Sequence, residues 1–171
     1  MAPESENGRR LAPTPLHFYQ HGMEGTRRWR ALKLWMSWKH VGSSGFARLI
    51  ETTADTAAYL ARRIEVSDDF EALPAEPPLS VVCFRHLPDG RAATVTATDA
   101  ELAALDAHQA DLQRALEASG EGWLSTTTLR GRTYLRAGIV NYLTTEADID
   151  ALLETLRRFA REPVDAGVDR R

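Results

Sequence analysis

A short loop ahead of the first helical pattern has the residue types of an anion-binding site. Gly22 and Gly25 free the backbone for close approach to a ligand, Thr26 adds a hydroxyl, and Arg27 and Arg28 add two guanidinium groups. Backbone N–H groups at the start of a helix, together with nearby arginine, are typical of phosphate and carboxylate binding. The pattern indicates an anion-binding loop; the alternative is a basic loop that only caps the helix.

A second candidate is Arg136, which lies between Leu135 and Ala137 in a run with the character of a β-strand. A guanidinium group in the middle of a strand requires a carboxylate, a phosphate or solvent on its side of the sheet. Arg136 is therefore either an anion-binding residue or a residue on a solvent-facing side of the sheet.

Other reactive side chains have weaker patterns. His17 and His21 have a metal-ligand spacing, but the neighbouring Gly22 disfavours the helix that this spacing requires, so no metal site is predicted. Cys83 is the single cysteine of the chain and lies within an apolar run. It is predicted to be a small buried side chain rather than a nucleophile.

The composition limits the classes of function that the chain can have. Its 171 residues, 43% of them hydrophobic and 26% charged, are typical of one globular domain and exclude a wholly disordered chain. The net charge of −3 gives no electrostatic case for binding nucleic acid or an anionic membrane. The apolar runs are too short to span a membrane, and the first 15 residues lack the apolar core of a secretory signal. These features predict a cytoplasmic protein with no nucleic-acid or membrane partner.

The elements that must position these residues begin with two helices. After a disordered or extended lead-in at residues 1–16, residues 30–41 are predicted to form a helix that ends at Gly42. This helix is apolar around most of its circumference, so it exposes apolar surface unless a partner covers it. A second helix begins at one of the two serines that follow and extends to about residue 63. Its apolar stripe consists of Phe46, Leu49, Ile50, Thr53, Ala57, Leu60 and Ile64.

The remainder of the chain alternates between strands and helices. Thr98 and Glu101 form a capping box that opens a helix, which closes near Gly120, and Thr145 and Asp148 open the last helix. Strands are predicted at residues 70–73, 79–86, 123–129 and 132–140, with a turn at Asp89–Gly90 and a hairpin at Arg130–Gly131. This order predicts an α+β domain in which helices cover one side of a small, mostly antiparallel sheet.

Three parts of the chain also carry a family resemblance. Residues 25–35 (GTRRWRALKLW) closely resemble the G-S-R-R-x-R-A-L-K-x-W stretch of the group II pyridoxal-phosphate-dependent decarboxylases, which include the aromatic-amino-acid, histidine and glutamate decarboxylases. Residues 81–85 (VVCFR) resemble a strand of that family's small domain, and residues 135–150 resemble its closing strand-to-helix passage. The similarity runs in the family's order from about Phe18 to Arg161.

The resemblance implies the C-terminal portion of a fold-type-I (aspartate aminotransferase-like) enzyme whose cofactor is pyridoxal 5'-phosphate. Residues 17–42 are then a loop and helix from the end of the large domain, residues 43–162 the small domain, and residues 163–171 a polar tail. The expected partner is a large-domain chain or a second subunit of a decarboxylase dimer.

The resemblance also implies roles for the two candidate sites. In the family, the residues before the paired arginines lie at the dimer interface and approach the cofactor phosphate or the substrate of the neighbouring subunit. This assigns cofactor binding to Gly25, Thr26 and Arg27. The arginine that matches Arg136 contacts a substrate carboxylate in glutamate decarboxylase-like members, which makes Arg136 the expected substrate-binding residue.

The chain departs from the family at the residue that carries the covalent chemistry. The Schiff-base lysine of the family directly follows a histidine and lies well upstream of the stretch that residues 25–35 resemble. The two lysines here, Lys33 and Lys39, do not match it, and Lys39 precedes His40 rather than following it. No catalytic residue is therefore predicted, and the chain is expected to be part of a carboxy-lyase that is inactive alone. The alternative is a non-catalytic interaction module, or one that binds a small molecule such as an amino acid, derived from that family.

Overall fold

A computed structural model describes residues 28–161 of the chain. The described part contains four helices and four strands in the order α1, β1, β2, α2, α3, β3, β4, α4. Their bounds are α1 Ala31–Glu65, β1 Phe70–Ala72, β2 Val81–His86, α2 Gly90–Val95, α3 Asp99–Ser119, β3 Ser125–Leu129, β4 Arg132–Gly138 and α4 Glu146–Arg161.

The strands form one antiparallel sheet in the order β1-β2-β4-β3. The predicted hairpin joins β3 to β4, and its two turn residues, Arg130 and Gly131, have φ values of 50° and 75°. A two-residue hairpin loop with both φ values positive matches the right-handed twist of the strands, so it fixes the β3–β4 register. In the centre of the sheet, Arg136 of β4 lies opposite Cys83 of β2 and Ser125 of β3.

Helices α3 and α4 begin at the capping boxes that the sequence predicts. The Thr98 side chain accepts a hydrogen bond from the backbone N–H of Glu101, and the Glu101 carboxylate accepts one from the backbone N–H of Thr98. Thr145 and Asp148 make the same reciprocal pair at the start of α4. These bonds satisfy backbone donors that have no partner within the helix, and they set where each helix begins.

The hydrophobic core lies on one side of the sheet, which we call the covered face. The strand residues in it are Phe70, Val82, Phe84, Leu135 and Ala137, and Ile139, directly after β4, joins them. The helix residues that pack against them come from α1, α3 and α4: Ala57, Leu60, Ile64, Leu112, Leu116, Ile149, Leu153 and Leu156. The predicted α+β class, with helices on one side of a small antiparallel sheet, is therefore confirmed.

Several predicted details need correction. The Asp89–Gly90 turn leads into a short helix, α2, which has no apolar periodicity because it is only six residues long. Ile50, predicted in the apolar stripe of the second helix, is exposed. The second strand begins at Val81 rather than residue 79, since Leu79 is exposed and makes no ladder pair.

The predicted strands at 123–129 and 132–140 are also shorter than expected. The first of them, β3, begins at Ser125, and the second, β4, ends at Gly138, because the ladder pairs extend no further.

The predicted break at Gly42 is present inside α1. Gly42 has φ 73° and ψ 169°, a backbone conformation that is essentially restricted to glycine, and helical residues continue on both sides of it. Residues 28–42 and residues 43–161 belong to different compact units. Within the first unit, the helix exposes large apolar side chains, as predicted: Leu34, Trp35, Met36 and Trp38.

Candidate functional site

The structure places Arg136 at the centre of β4, on the side of the sheet opposite the core. We call this side the open face. Cys83 and Ser125 lie next to Arg136 on the neighbouring strands, and the Arg136 side chain is exposed. No carboxylate within residues 28–161 forms an ion pair with its guanidinium group. The charge is therefore available to an anion that comes from outside the described residues.

The backbone beside Arg136 borders open space. Gly138, two residues further along β4, has no atom within 4 Å of the position that a Cβ would occupy. The Cys83 side chain beside Arg136 is partly exposed rather than buried as predicted, because it lies on the open face and not in the core. Partial burial raises the pKa of its thiol, and the positive charge of Arg136 acts in the opposite direction. This thiol is mostly protonated at neutral pH, and its role near Arg136 is that of a small neighbour rather than a nucleophile.

A second arginine of the open face, Arg85 on β2, has the opposite environment. Its side chain is only 3% exposed, and its Nη2 donates a 3.0 Å hydrogen bond to Oδ1 of Asp106 on α3. Its Nη1 lies 3.7 Å from a carboxylate oxygen of Glu71, and its guanidinium carbon lies 5.3 Å from the ring centre of Tyr134. Arg85 is thus neutralised and stacked inside the domain, and it is a structural residue.

Asp106 and Gln109 of α3 take the place of strand partners where the β2–β4 ladder ends. The ladder pairs stop at Phe84, although both strands continue. Beyond that point the backbone N–H of Thr133 donates to Oδ1 of Asp106 over 2.8 Å. The Gln109 amide accepts from the N–H of His86 and donates to its carbonyl, both over 2.9 Å. These bonds satisfy buried backbone groups that would otherwise lack partners, and they hold α3 to the sheet.

His86 and His108 form a second buried polar pair. Nδ1 of His86 and Nε2 of His108 are 2.9 Å apart, so one nitrogen donates and the other accepts. Burial, followed by the neighbouring His108, lowers the pKa of His86 to about 4, and burial also lowers the pKa of His108. Both rings are neutral at physiological pH, and the sequence pattern alone did not single them out because they are 22 residues apart.

The other predicted site residues divide into those outside and those inside the described part. Gly25, Thr26 and Arg27 lie outside residues 28–161, as do His17 and His21. Lys33 and Lys39 lie on the first segment of α1, and both are exposed. Nζ of Lys39 is 5.9 Å from the ring centre of Trp35. Within the described residues, no three side chains are placed to hold a metal ion.

The described residues do not form a pyridoxal phosphate site by themselves. Both lysines are exposed, and Arg136 provides one exposed cation that forms no ion pair among the described residues. A covalently held cofactor requires a lysine that is desolvated or held next to activating groups. Any such site therefore needs residues beyond those described.

Comparison with known proteins identifies relatives over most of the chain. Residues 16–87 match the family model for the pyridoxal-dependent decarboxylase conserved domain. The aromatic-L-amino-acid decarboxylase of Bacillus atrophaeus is 29% identical over 152 residues, which make up 86% of this chain and 29% of that protein.

Solved structures give the same relationship. The crystal structure of mouse CSAD matches with a TM-score of 0.75 and 26% identity, over 84% of this chain and 30% of that one. The crystal structure of Oryza sativa TDC with PLP and tryptamine matches with a TM-score of 0.67 and 25% identity, over 81% of this chain and 28% of that one. The chain therefore spans less than a third of the length of these relatives. No helix within residues 28–161 is long and apolar enough to cross a membrane.

Proposed function

Because this chain is a relative of a portion of the group II pyridoxal-phosphate-dependent decarboxylases, we propose that it is the C-terminal part of such an enzyme. Its match to 28–30% of the length of its relatives supports this assignment. On this proposal the chain works with a large-domain polypeptide, and the pair removes the α-carboxyl group of an amino acid. The cofactor supplies the electron sink for that reaction when it is bound.

The observation that carries the proposal is the unpaired guanidinium group of Arg136. An arginine forms two parallel hydrogen bonds with a carboxylate, which fixes the orientation of the anion as well as its position. Arg136 stands at the middle of a rigid sheet, with open space over Gly138 beside it. Its proposed role is to hold the substrate carboxylate.

The loop at Gly25, Thr26 and Arg27 is proposed to bind the cofactor phosphate across a subunit boundary. Support comes from the residue types, since two glycines, a hydroxyl and a guanidinium ahead of a helix suit a dianion. The resemblance of residues 25–35 to the family stretch supports the same role. The proposal accordingly includes a dimeric assembly and a cytoplasmic location.

The chain alone is proposed to be inactive, because neither of its lysines is placed for covalent chemistry. Lys33 and Lys39 are exposed on one helix. To test this, the purified chain is mixed with pyridoxal phosphate and treated with borohydride, and the reduced adduct is located by mass spectrometry. We expect no stoichiometric adduct at either lysine. A site-specific stoichiometric adduct, or decarboxylation by the chain alone, would contradict the proposal.

The role of Arg136 is tested by reconstitution. The chain is co-expressed with the part of the Bacillus atrophaeus decarboxylase that precedes the matching region, and the decarboxylation of an aromatic L-amino acid is measured. Loss of a charged hydrogen bond costs about 1.5–3 kcal/mol, so Arg136→Gln is expected to raise KM about tenfold or more while the affinity for cofactor stays unchanged.

The matched control for Arg136→Gln is Arg114→Gln. Arg114 is also exposed, but its ion-pair partner Asp111 lies on the same helix. If the Arg136→Gln and Arg114→Gln variants have the same KM, the proposed substrate-binding role of Arg136 is wrong. If the Thr26→Ala or Arg27→Gln chain retains cofactor as well as the unsubstituted chain does, the proposed role of the loop in cofactor binding is wrong.

A non-catalytic interaction module is the second candidate, and the exposed aromatic residues of the first helical segment favour it. Trp35 and Trp38 are large apolar side chains on a surface helix, and such groups in proximity often mark an interface. If the reconstituted pair binds but produces no amine with any amino acid tested, this second function is the better description.

A further inference from the structure

The strand β3 forms one edge of the sheet, and its outer side has no partner among the described residues. In the strand order β1-β2-β4-β3, it pairs with β4 alone. Backbone N–H and C=O groups in an antiparallel sheet point alternately to the two sides of a strand, so every second residue of β3 directs these groups away from β4. Within residues 28–161, no hydrogen bond engages those outward groups.

The helices that bury the covered face leave this edge accessible. Thr126 lies opposite Leu135 in the ladder, yet Leu135 is fully buried whereas Thr126 is exposed. Thr128, which lies two residues further along the same face, is exposed as well. Just before the strand, the carbonyl of Leu124 accepts a 3.1 Å hydrogen bond from the side chain of Gln113 on α3. The strand is therefore anchored at its start and accessible along its outer side.

The other edge of the sheet, β1, is protected in several ways. It is only three residues long, and it carries the acidic residue Glu71. The carbonyl of Phe70 accepts a 2.7 Å hydrogen bond from Nε of Arg91 on α2. Pro74, which has no N–H group to offer a further strand, follows β1 closely. Short strands, charge, proline and cover by other groups are the features that prevent sheet edges from pairing with each other.

The strand β3 lacks these features. Its sequence, STTTL, contains no charged residue and no proline. All of its residues pair with β4 in an unbroken register, so no bulge twists the edge away. Threonine also favours the extended conformation. A regular, uncharged edge with free backbone groups is a template for another strand, so the chemistry of this surface specifies an extended strand as its partner.

We propose that β3 pairs with β3 of a second copy of the chain, in an antiparallel contact that is two-fold symmetric about Thr127. The strand is complementary to itself in this register. Thr126 of one copy lies opposite Thr128 of the other, and Ser125 lies opposite Leu129. Threonine pairs are favourable across strands, and the contact brings no like charges of β3 together. A two-fold contact uses the same surface of both copies, as this register requires.

The difference between the two edges limits the assembly to two copies. Once the β3 strands are paired, the only remaining edges of the joined sheet are the two protected β1 strands. The contact is therefore closed rather than propagating. It involves neither the guanidinium group of Arg136 nor the loop at residues 25–27, so this inference goes beyond the proposed function and does not depend on it.

Charge substitutions at the edge test the contact. Sedimentation of the full chain from micromolar to millimolar concentration should show a monomer–dimer equilibrium. The double variant Thr126→Lys/Thr128→Lys places lysine opposite lysine twice in each dimer, so it should weaken the dimer at least about tenfold. Ala103→Lys/Ala107→Lys is the matched control, because it adds the same charge at exposed positions of α3 and should leave the dimer unchanged.

A charge-reversed variant tests the register. In Thr126→Lys/Thr128→Glu, each lysine lies opposite a glutamate of the other copy, so the dimer should be at least as stable as that of the unsubstituted chain. Circular dichroism verifies that the variants fold. Amide hydrogen exchange of the unsubstituted chain needs no variant: every second N–H of β3 should exchange more slowly at concentrations where the dimer forms.

Three outcomes would overturn the inference. The first is a chain that stays monomeric at millimolar concentration. The second is a dimer that the two lysines leave unchanged, or that the lysine–glutamate variant fails to restore, because the contact then lies elsewhere. The third is protection of the outward β3 amides in the monomer, which would mean that another segment of the same chain covers the edge. The proposed function is tested separately, since none of these measurements involves the reconstituted enzyme.

Discussion

On the covered face of the sheet, Phe84, Leu135 and Ala137 pack beneath helices of the same chain, and each is almost fully removed from solvent. On the open face, the same two strands carry Cys83, which is partly exposed, and Arg136, which is exposed. The apolar side chains of the covered face are buried by helices of the same chain, whereas the open face carries an exposed arginine that forms no ion pair among the described residues.

The two arginines of the open face differ in the same way, since one is buried and the other is exposed. Arg85 is buried, lies against the ring of Tyr134 and forms an ion pair with Asp106, so its charge is already neutralised within the domain. Arg136 lies on the neighbouring strand with no such partner among the described residues. The residue type alone does not separate a structural arginine from a ligand-binding one, because the difference lies in where the nearest carboxylate is.

The largest expected effect is on the covered face. Leu135→Ala removes a side chain with no exposed surface, and it should lower the free energy of unfolding by about 3–5 kcal/mol through lost burial and the cavity left behind. Urea denaturation measures this change. Leu79→Ala, at the end of the open face, should change the free energy of unfolding by less than about 0.5 kcal/mol. Equal losses at the two positions would contradict the distinction between the faces.

Acid should destabilise the domain through His86. The folded chain keeps His86 neutral down to about pH 4, whereas the unfolded chain protonates it near its usual pKa of 6.5. The unfolded state therefore binds more protons in this range, and the free energy of unfolding should fall by about 3 kcal/mol between pH 6.5 and pH 4. His108 contributes in the same direction. Positive charge on Arg157 and Arg161 adds to the cost of protonation, and Asp69 opposes it.

Denaturation at a series of pH values tests this. His86→Gln should flatten the slope between pH 6.5 and 4, and His40→Gln, at an exposed position on α1, should leave it unchanged. The pKa of Asp69 is lowered mainly by its hydrogen bond to Arg157, so the stability from that pair is lost only as the pH falls below its usual 3.8. A slope in the His86→Gln chain equal to that of the unsubstituted chain would rule out His86 as its source.

A smaller loss is expected where α3 joins the sheet. Asp106→Ala leaves the buried Arg85 without its closest carboxylate and the N–H of Thr133 without its acceptor. The free energy of unfolding should fall by about 2–3 kcal/mol. Asp111→Ala, on the exposed side of the same helix, should cost less than about 0.5 kcal/mol because its ion pair with Arg114 is exposed. Comparable losses of stability in the two variants would mean that Asp106 does not hold α3 to the sheet.

The smallest expected effect on stability is at Arg136. Arg136→Gln should leave the free energy of unfolding of the chain within about 0.5 kcal/mol, because its guanidinium group forms no ion pair with residues 28–161. The same substitution should impair the reconstituted enzyme, so the residue would affect function without affecting folding. A large loss of stability in the isolated chain would assign Arg136 a structural role instead.

Local signals in the sequence were sufficient for much of the fold. Thr98 with Glu101, Thr145 with Asp148, and Arg130–Gly131 each act within four residues, so the amino-acid types alone predict the helix starts and the hairpin. The buried residues of α4, Ile149, Leu153 and Leu156, are spaced four and three apart, which is an equally local pattern. The resemblance of three segments predicted the family. The short helix α2 was missed because six residues carry no measurable period.

The amino-acid types and their local spacing therefore specify most of the helices and strands and the family that these segments resemble. Which polar residues find partners within the domain depends on the packing of elements that are distant in sequence. Asp106 meets Arg85 across 21 residues of sequence, and Gln109 meets His86 across 23. Such pairs depend on how α3 lies against the sheet, which no local pattern encodes. The same packing leaves Arg136 exposed, with no ion-pair partner among the described residues.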